Sequence, residues 1–187
     1  DQDLAASHAV VPPGDAPLLV VHPGATDARR CYPEERLGAI AQDLADRGAR
    51  VVVAAGGGEA ERVDRVAAGM RTAPETAVGA LDLPGLVGLL ARATVFLGND
   101  SGPRHLAGAV GTPTVAVFTY ANLADVAPLT RVWHRVLVSW HGGCRVCGLR
   151  VLEGWCGHGE SATHDVDIHE VRDAALDLWD QSRGARR

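Results

Sequence analysis

Residues 100–105 read Asp-Ser-Gly-Pro-Arg-His and combine a carboxylate, a hydroxyl and an imidazole with a backbone suited to binding an anion. An apolar run at 93–97 stops at Gly98 just before them, and Pro103 is of a type favoured in the first turn of a helix. The sequence therefore predicts a turn between a strand and a helix, where the first backbone N–H groups attract anions. Three residues are expected to shape the phosphate-facing turn: Ser101, Gly102 and Pro103.

Two other side chains of this turn each allow two interpretations. Asp100 cannot favour a phosphate directly, because two anions repel at close range. We expect it to cap the helix or to accept a hydrogen bond from a sugar hydroxyl. His105 falls in the first helical turn, where it could donate to a diphosphate or be a buried structural histidine.

The loop 22–30 offers a second site for an anion. Gly24, Ala25 and Thr26 are small enough to let a ligand approach the backbone closely. The forked donors of Arg29 and Arg30 suit a phosphate group. The alternative is that both arginines form a solvated rim.

A third loop, Gly56-Gly57-Gly58-Glu59-Ala60-Glu61, carries two carboxylates after an apolar run. A carboxylate at this place can accept hydrogen bonds from ribose hydroxyls, as in dinucleotide-binding folds. It can also simply favour a helix N-terminus, an effect of under about 1 kcal/mol. We expect Glu59 and Glu61 to divide these two roles between them.

A cluster of cysteines and histidines lies near the C-terminal end. Two cysteines three positions apart and a Cys-x-His pair supply the four soft ligands of a closed, structural zinc site. The predicted ligands are Cys144, Cys147 and Cys156, with His158 or His164 as the fourth. Reduced thiols or a disulfide remain alternatives, because the spacing between the pairs is irregular. Cys31 stands apart and is predicted to be a buried thiol.

Composition narrows the class of protein. The chain has 187 residues, is 47% hydrophobic and carries a formal net charge of −5. Such a charge disfavours a nucleic-acid partner. The chain has no apolar run of about 18 residues, so we expect no transmembrane segment. The first residues do not resemble a signal peptide, the chain begins without Met as a fragment would, and clustered cysteines suit a cytoplasmic protein.

The elements that must position these loops alternate between strands and helices. Continuous apolar runs predict strands that are covered on both faces. They lie at 18–21, 51–55, 76–78, 93–97, 114–118 and 135–140. Apolar residues at helical spacing predict helices at 33–48, after residue 61, at 83–91 and at 168–179. This order is typical of an α/β fold, a Rossmann-like doubly wound sheet of mostly parallel strands, in which the three loops would line one crevice.

The block from Asp100 to Pro113, Asp-Ser-Gly-Pro-x-His-Leu-Ala-x-Ala-x-Gly-x-Pro, resembles the signature of glycosyltransferase family 9, the heptosyltransferases. His22-Pro23-Gly24-Ala25 with Tyr32-Pro33, and the Gly-Gly-x-x-Glu pattern ending at Glu61, are also similar to that family. The resemblance implies the C-terminal half of a GT-B fold. It predicts a linker and N-terminal tail at 1–17, a nucleotide-sugar-binding domain at 18–181 with a Cys/His-rich loop at 141–164, and a C-terminal tail at 182–187.

The resemblance also implies a function. The donor would be a nucleotide-sugar such as ADP-heptose, and Leu83 and Leu86 could cover its base. Transfer would proceed with inversion, without a metal or other cofactor. The general base and the site for a glycan or lipid-linked acceptor would lie in an N-terminal half, so the catalytic residues are unknown here. The protein would act in the cytoplasm, and a peripheral position at a membrane surface is compatible with the acceptor. The alternatives are a non-catalytic nucleotide-binding or zinc-stabilised interaction module and a GT-B-fold nucleotide-sugar epimerase.

Overall fold

The computed structural model describes residues 2–185, apart from the side chains of Asn122 and Ala185. Its strands are β1 (Leu18–His22), β2 (Arg50–Ala55), β3 (Glu75–Val78), β4 (Val95–Asn99), β5 (Thr114–Thr119) and β6 (His134–Ser139). They form one sheet in the order β3-β2-β1-β4-β5-β6, and every pairing is parallel. This arrangement confirms the predicted Rossmann-like fold.

Helices cover both faces of the sheet. They are α1 (Gln2–Val10), α2 (Glu34–Ala45), α3 (Ala60–Ala68), α4 (Leu83–Arg92), α5 (Gly102–Ala109), α6 (Tyr120–Val126) and α7 (Ile168–Ala185). In β1, Leu19 and Val21 join the apolar core beneath α2, α3 and α7, whereas Leu18 and Val20 join the core beneath α4 and α5. The apolar residues at the first four positions of β1 are therefore explained by burial on two faces.

The chain changes direction across the sheet between β1 and β4. From β1 it proceeds outward to β2 and β3, and it then returns to place β4 on the other side of β1. In open parallel sheets, ligands bind beyond the carboxyl ends of the strands at this switch point. The loops that follow β1 and β4 occupy it here.

The structure corrects the interpretation of residues 1–17 as a linker, because α1 packs along α4. A Cβ atom on Gly88 would lie only 2.0 Å from the carbonyl oxygen of Asp3. Arg92 of α4 also donates to the Ser7 hydroxyl and to the Val11 carbonyl. These tertiary contacts stabilise a helix whose own apolar pattern is weak. Asp1 lies outside the described residues.

Two further boundaries differ from the sequence-based expectation. The closing helix α7 continues to Ala185, and Ser182 in its last turns is buried, so much of the predicted tail at 182–187 is helical. The helix α6 was not predicted, because seven residues are too few for a clear period. Within the described residues, no helix is both long and apolar enough to cross a membrane.

Candidate donor and metal sites

Asn99, the last residue of β4, forms hydrogen bonds that connect the loops after β1 and β4 at the switch point. Its side chain is fully buried. Nδ2 donates to the Pro23 carbonyl at 2.7 Å, and Oδ1 accepts from the backbone N–H of Tyr32 at 2.8 Å. Both ends of the loop after β1 are therefore fixed to the end of β4. Sequence reasoning missed this residue, although a polar side chain at the end of an apolar strand could have indicated it.

The turn after β4 has the predicted geometry of strand, turn and helix. Ser101 occupies the N-cap position of α5 with extended backbone, and Pro103 lies in the first turn after Gly102. The expectation that Asp100 caps the helix is wrong, because Ser101 holds that position. The Ser101 hydroxyl is buried and, within the described residues, has no hydrogen-bond partner. A buried hydroxyl of this kind is available to a ligand that approaches the helix N-terminus.

Three basic side chains surround the buried carboxylate of Asp100. Nη1 of Arg30 lies 3.4 Å from Oδ2, Nη2 of Arg104 lies 3.6 Å from Oδ1, and Nε2 of His105 lies 3.7 Å from Oδ1. Arg104 also donates to the Val126 carbonyl at 2.6 Å and stacks on Phe118. Sequence reasoning missed Arg104, although its i,i+4 spacing from Asp100 is a signal for such a pair.

His105 lies at the mouth of this cluster, with 49% of its side chain exposed. Burial and the neighbouring Arg104 guanidinium lower the pKa of His105, against the opposite influence of Asp100. The imidazole is therefore neutral near pH 7 and can donate one hydrogen bond through its N–H. Its exposure does not fit the alternative of a buried structural histidine.

The structure separates the two arginines of the first loop. Arg29 is buried, and its guanidinium contacts Asp27, the Gly154 carbonyl and the ring of Trp155. Arg30 extends the other way towards Asp100, and its side chain is partly exposed. Arg30 can therefore reach a ligand at the switch point, whereas the donors of Arg29 are occupied by the protein.

The two glutamates of the third loop also lie in different surroundings. The Glu59 carboxylate accepts from the Gly56 N–H at 2.8 Å and lies 3.8 Å from Nε2 of His22. A Cβ atom on Gly24 would lie 1.7 Å from Oε1 of Glu59, so a side chain at position 24 would displace the Glu59 carboxylate. Glu61 is 89% exposed on α3 and pairs only with Arg65 among the described residues. Glu59 is thus the carboxylate that lies beside the loop after β1.

Gly24, Ala25 and Thr26 change from buried to exposed along the first loop. Gly24 is packed beneath Glu59, Ala25 is half-buried, and Thr26 faces solvent. The three predicted loops therefore meet at one edge of the sheet, through Asn99, Arg30 and Glu59. Leu83 is 63% exposed, whereas Leu86 packs against the core beneath α4.

The cysteine cluster forms beyond β6, in the loop at 141–164. The ligand atoms of Cys144, Cys147, Cys156 and His158 lie within 4.8 Å of one another. Ligands of one tetrahedral zinc, bonded at about 2.0–2.3 Å, must lie within about 4 Å of each other, so the side chains are close to such a geometry. Nδ1 of His158 is buried and has no hydrogen-bond partner among the described residues. The residues fit a metal ion.

The structure favours His158 over His164 as the fourth ligand, since Nδ1 of His164 contacts the Ser161 carbonyl at 2.9 Å. Backbone N–H groups near Cys147 and Val146 lower the pKa of the Cys144 thiol to about 7, which favours the thiolate that binds metals. Within the described residues all four cysteines are free thiols, and Cys31 is buried as predicted.

Comparisons with known proteins agree with this geometry. A family model described as glycosyltransferase family 9 (heptosyltransferase) matches residues 1–147. Lipopolysaccharide heptosyltransferase 3 of Escherichia coli (strain K12) is 33% identical over 127 residues, which are 66% of this chain and 36% of that protein. The matched segments thus span only 30% to 36% of the length of such curated relatives.

Solved structures share the fold. E. coli ADP-heptose LPS heptosyltransferase II has a TM-score of 0.75 at 19% identity, covering 97% of this chain and 52% of that one. The dodecameric iron-containing heptosyltransferase TibC, in complex with ADP-D-β-D-heptose, has a TM-score of 0.61 at 19% identity, covering 91% and 47%. These likenesses confirm the predicted fold, one half of a GT-B structure.

Proposed function

The chain belongs to glycosyltransferase family 9, and from that premise we propose that it is the half of a two-domain enzyme that binds the nucleotide-sugar donor. The donor we propose is ADP-heptose or a close analogue. Relatives named lipopolysaccharide heptosyltransferases support this choice, as does a structural neighbour described in complex with ADP-D-β-D-heptose. The whole enzyme would transfer the sugar to a glycan or lipid-linked acceptor at the cytoplasmic face of a membrane.

The observation that carries the proposal is the arrangement of Arg30, Asp100 and Arg104 beside the N-terminus of α5. Two guanidinium groups lie within 3.6 Å of one carboxylate, so the cluster retains a positive charge. The first N–H groups of α5 add partial positive charge at the same place. A diphosphate can approach this cluster although Asp100 is present, because the arginines neutralise the carboxylate.

We assign the remaining groups by their chemistry. Glu59 accepts hydrogen bonds from the ribose, and Ser101 with the backbone of Gly102 and Pro103 lines the phosphate turn. Asp100 accepts a hydroxyl of the sugar. Arg30 and His105 stabilise the negative charge that grows on the leaving diphosphate as the sugar bond breaks. The base that activates the acceptor lies in the other half, and displacement inverts the anomeric centre.

Cys144, Cys147, Cys156 and His158 together form what we call the Cys144–His158 cluster. We propose that an ion bound by this cluster has a structural role. Four protein ligands leave no open position for a substrate, which is the usual arrangement of a structural zinc site. Iron is the second candidate ion, because one structural neighbour is described as iron-containing. The transfer itself needs no metal under this proposal, because Arg30, His105 and the helix N-terminus supply the positive charge.

Calorimetric titration of the chain with ADP, UDP, GDP and ADP-heptose tests the proposal. We expect selective binding of ADP and tighter binding of ADP-heptose. The Arg30→Met variant should lose most of this binding, whereas Arg47→Met, at an exposed ion pair with Asp180, should not. A folded chain that binds none of the four, alone or within a longer protein, would overturn the proposal.

Assays of a full-length protein that contains this chain separate the alternative functions. Transfer of heptose to an acceptor supports a glycosyltransferase. Conversion of the nucleotide-sugar without an acceptor would identify an epimerase. Nucleotide binding with neither reaction would identify a non-catalytic module.

A further inference from the structure

We propose that Arg29 is a positioning residue that links metal binding by the Cys144–His158 cluster to nucleotide affinity at the switch point. The inference rests on the proposed function, since it concerns the same nucleotide site. It assigns a role to the one arginine of the first loop whose donors the protein itself occupies.

Arg29 is held at its place by contacts with two different segments. Its Nη2 donates to Asp27 at 2.8 Å within its own loop. Its Nη1 donates to the carbonyl of Gly154, and its guanidinium stacks on Trp155 with 4.8 Å to the ring centroid. Gly154 and Trp155 directly precede Cys156, a proposed metal ligand.

The backbone of the same turn rests on the segment that follows the cluster. The Arg29 carbonyl accepts from the N–H of Ala162 at 2.7 Å, and the Cys31 carbonyl accepts from the Thr163 hydroxyl at 3.2 Å. The short 3-10 turn at Ala28–Arg30 is therefore held by residues just before Cys156 and by residues that follow His158. Displacement of the Cys/His loop would release this turn.

The Cys/His loop has little apolar packing of its own to keep it ordered. Val146, Leu152 and Trp155 are 62%, 65% and 61% exposed. One antiparallel bridge between Gly143 and Arg150 supplies regular backbone pairing. A loop of this kind gains its order from ligand bonds to an ion, which link metal binding to local folding. Metal removal should therefore free Gly154 and Trp155 from Arg29.

Mobility of this turn would affect nucleotide binding through Arg30, the next residue in the same turn. Its guanidinium must stay near Asp100 to face a diphosphate, and a mobile turn would raise the entropic cost of placing it there. The metal-bound chain should therefore bind the nucleotide more tightly. By linkage, the nucleotide must tighten metal binding by the same factor.

The test compares ADP affinity in four states: the chain with Zn²⁺ and after chelation, each with Arg29 and with Arg29→Met. In the unchanged chain we expect chelation to weaken ADP binding about tenfold, within the usual range of about 5–150-fold for coupled sites. In Arg29→Met the affinity should already be reduced, and chelation should add little. Saturating ADP should raise Zn²⁺ affinity by the same factor in the unchanged chain only.

Arg172→Met, at a half-exposed position of α7, is the matched control and should retain the full metal effect. Hydrogen exchange provides a second readout that needs no nucleotide. The N–H groups of Arg30 and Cys31, bonded at 2.9 Å and 3.1 Å, should exchange faster after chelation. Arg29→Lys serves if Arg29→Met does not fold.

The outcomes separate this inference from the proposed function. Equal ADP affinity with and without Zn²⁺, together with unchanged exchange at 30–31, would overturn the coupling and leave donor binding standing. Absence of ADP binding in every state would overturn the proposed function and the coupling of affinities with it. A metal effect of the same size in Arg29→Met would show that Arg29 is not the link.

Discussion

Nη1 of Arg30 lies 3.4 Å from Oδ2 of Asp100, so an ion pair joins the loops after β1 and β4 across the switch point of the sheet. The two residues are 70 positions apart in the chain and meet because parallel strands end at the same edge. The pair leaves Asp100 neutralised and Arg30 partly exposed, which is the electrostatic condition for binding a diphosphate there.

Replacing Arg30 by Met should weaken ADP binding about tenfold or more, since a charged hydrogen bond is worth about 1.5–3 kcal/mol. The loss should be smaller for adenosine, which lacks the phosphates. Calorimetry with both ligands measures the difference. An equal loss for adenosine would mean that Arg30 only maintains the shape of the loop.

Replacing Asp100 by Asn should reduce the advantage of ADP-heptose over ADP, because a neutral amide oxygen accepts a weaker hydrogen bond from the sugar hydroxyl than a carboxylate does. Affinity for ADP itself should be unchanged or higher, since Arg30 and Arg104 lose the charge that neutralises them. The ratio of the two dissociation constants is the quantity to measure. If both ligands lose affinity equally, Asp100 is a determinant of the fold instead.

Glu59 and Glu61 offer a matched pair of substitutions. Glu59→Gln should weaken ADP binding severalfold and reduce the preference for ADP over its 2′,3′-dideoxy form, because Glu59 lies beside the loop after β1 and a neutral amide accepts a weaker hydrogen bond from ribose. Glu61→Gln should leave both unchanged, since that side chain is 89% exposed on α3. Competition titrations with the dideoxy nucleotide provide the comparison. Equal effects of the two substitutions would contradict the assignment.

Asn99→Ala should destabilise the chain by about 1–3 kcal/mol, the usual cost of leaving buried partners unsatisfied. The carbonyl of Pro23 and the N–H of Tyr32 would lose their contacts. Urea unfolding measures the change. Asn99→Asp should be at least as destabilising, because a negatively charged carboxylate would face the Pro23 carbonyl oxygen. A neutral effect of both would mean that water replaces the amide.

Stability should fall as the pH decreases below about 6.5. Burial, as the largest cause, lowers the pKa of His22, His105 and His134 in the folded chain. The unfolded chain therefore takes up protons first, at a cost of at most about 1.4 kcal/mol per pH unit for the buried His22 and less for the half-exposed His105, whose charge solvent screens. The contribution of these histidines to stability is fully present above their pKa in the unfolded chain. It is lost as the pH falls through their lower pKa in the folded chain.

Urea midpoints at pH 7.5, 6.5 and 5.5 measure this effect. His22→Gln should reduce the slope, whereas His169→Gln, at an exposed position, should not. We expect a further loss of stability below about pH 4, where Asp27 becomes protonated. The hydrogen bond from Arg29 lowers the pKa of Asp27 in the folded chain. A flat profile down to pH 5.5 would show that the histidines stay hydrated.

The sequence by itself determined the fold class and predicted where along the chain the candidate site lies. Continuous apolar runs such as Leu18–Val21 indicate strands buried on both faces, and Pro103 after Gly102 marks a helix start, because both signals depend on local residue types. The resemblance of the Asp100–Pro113 block determined the family. The helix α1 was not predicted from the sequence, because its stability comes from packing against α4.

Only the tertiary structure decided which of two similar residues reaches the site. Arg29 and Arg30 are adjacent and alike in sequence, yet one contacts Trp155 and the other Asp100. Glu59 and Glu61, and His158 and His164, are separated in the same way. Their partners lie far along the chain, and such contacts form only when strands and loops pack, so no local pattern can rank the members of each pair.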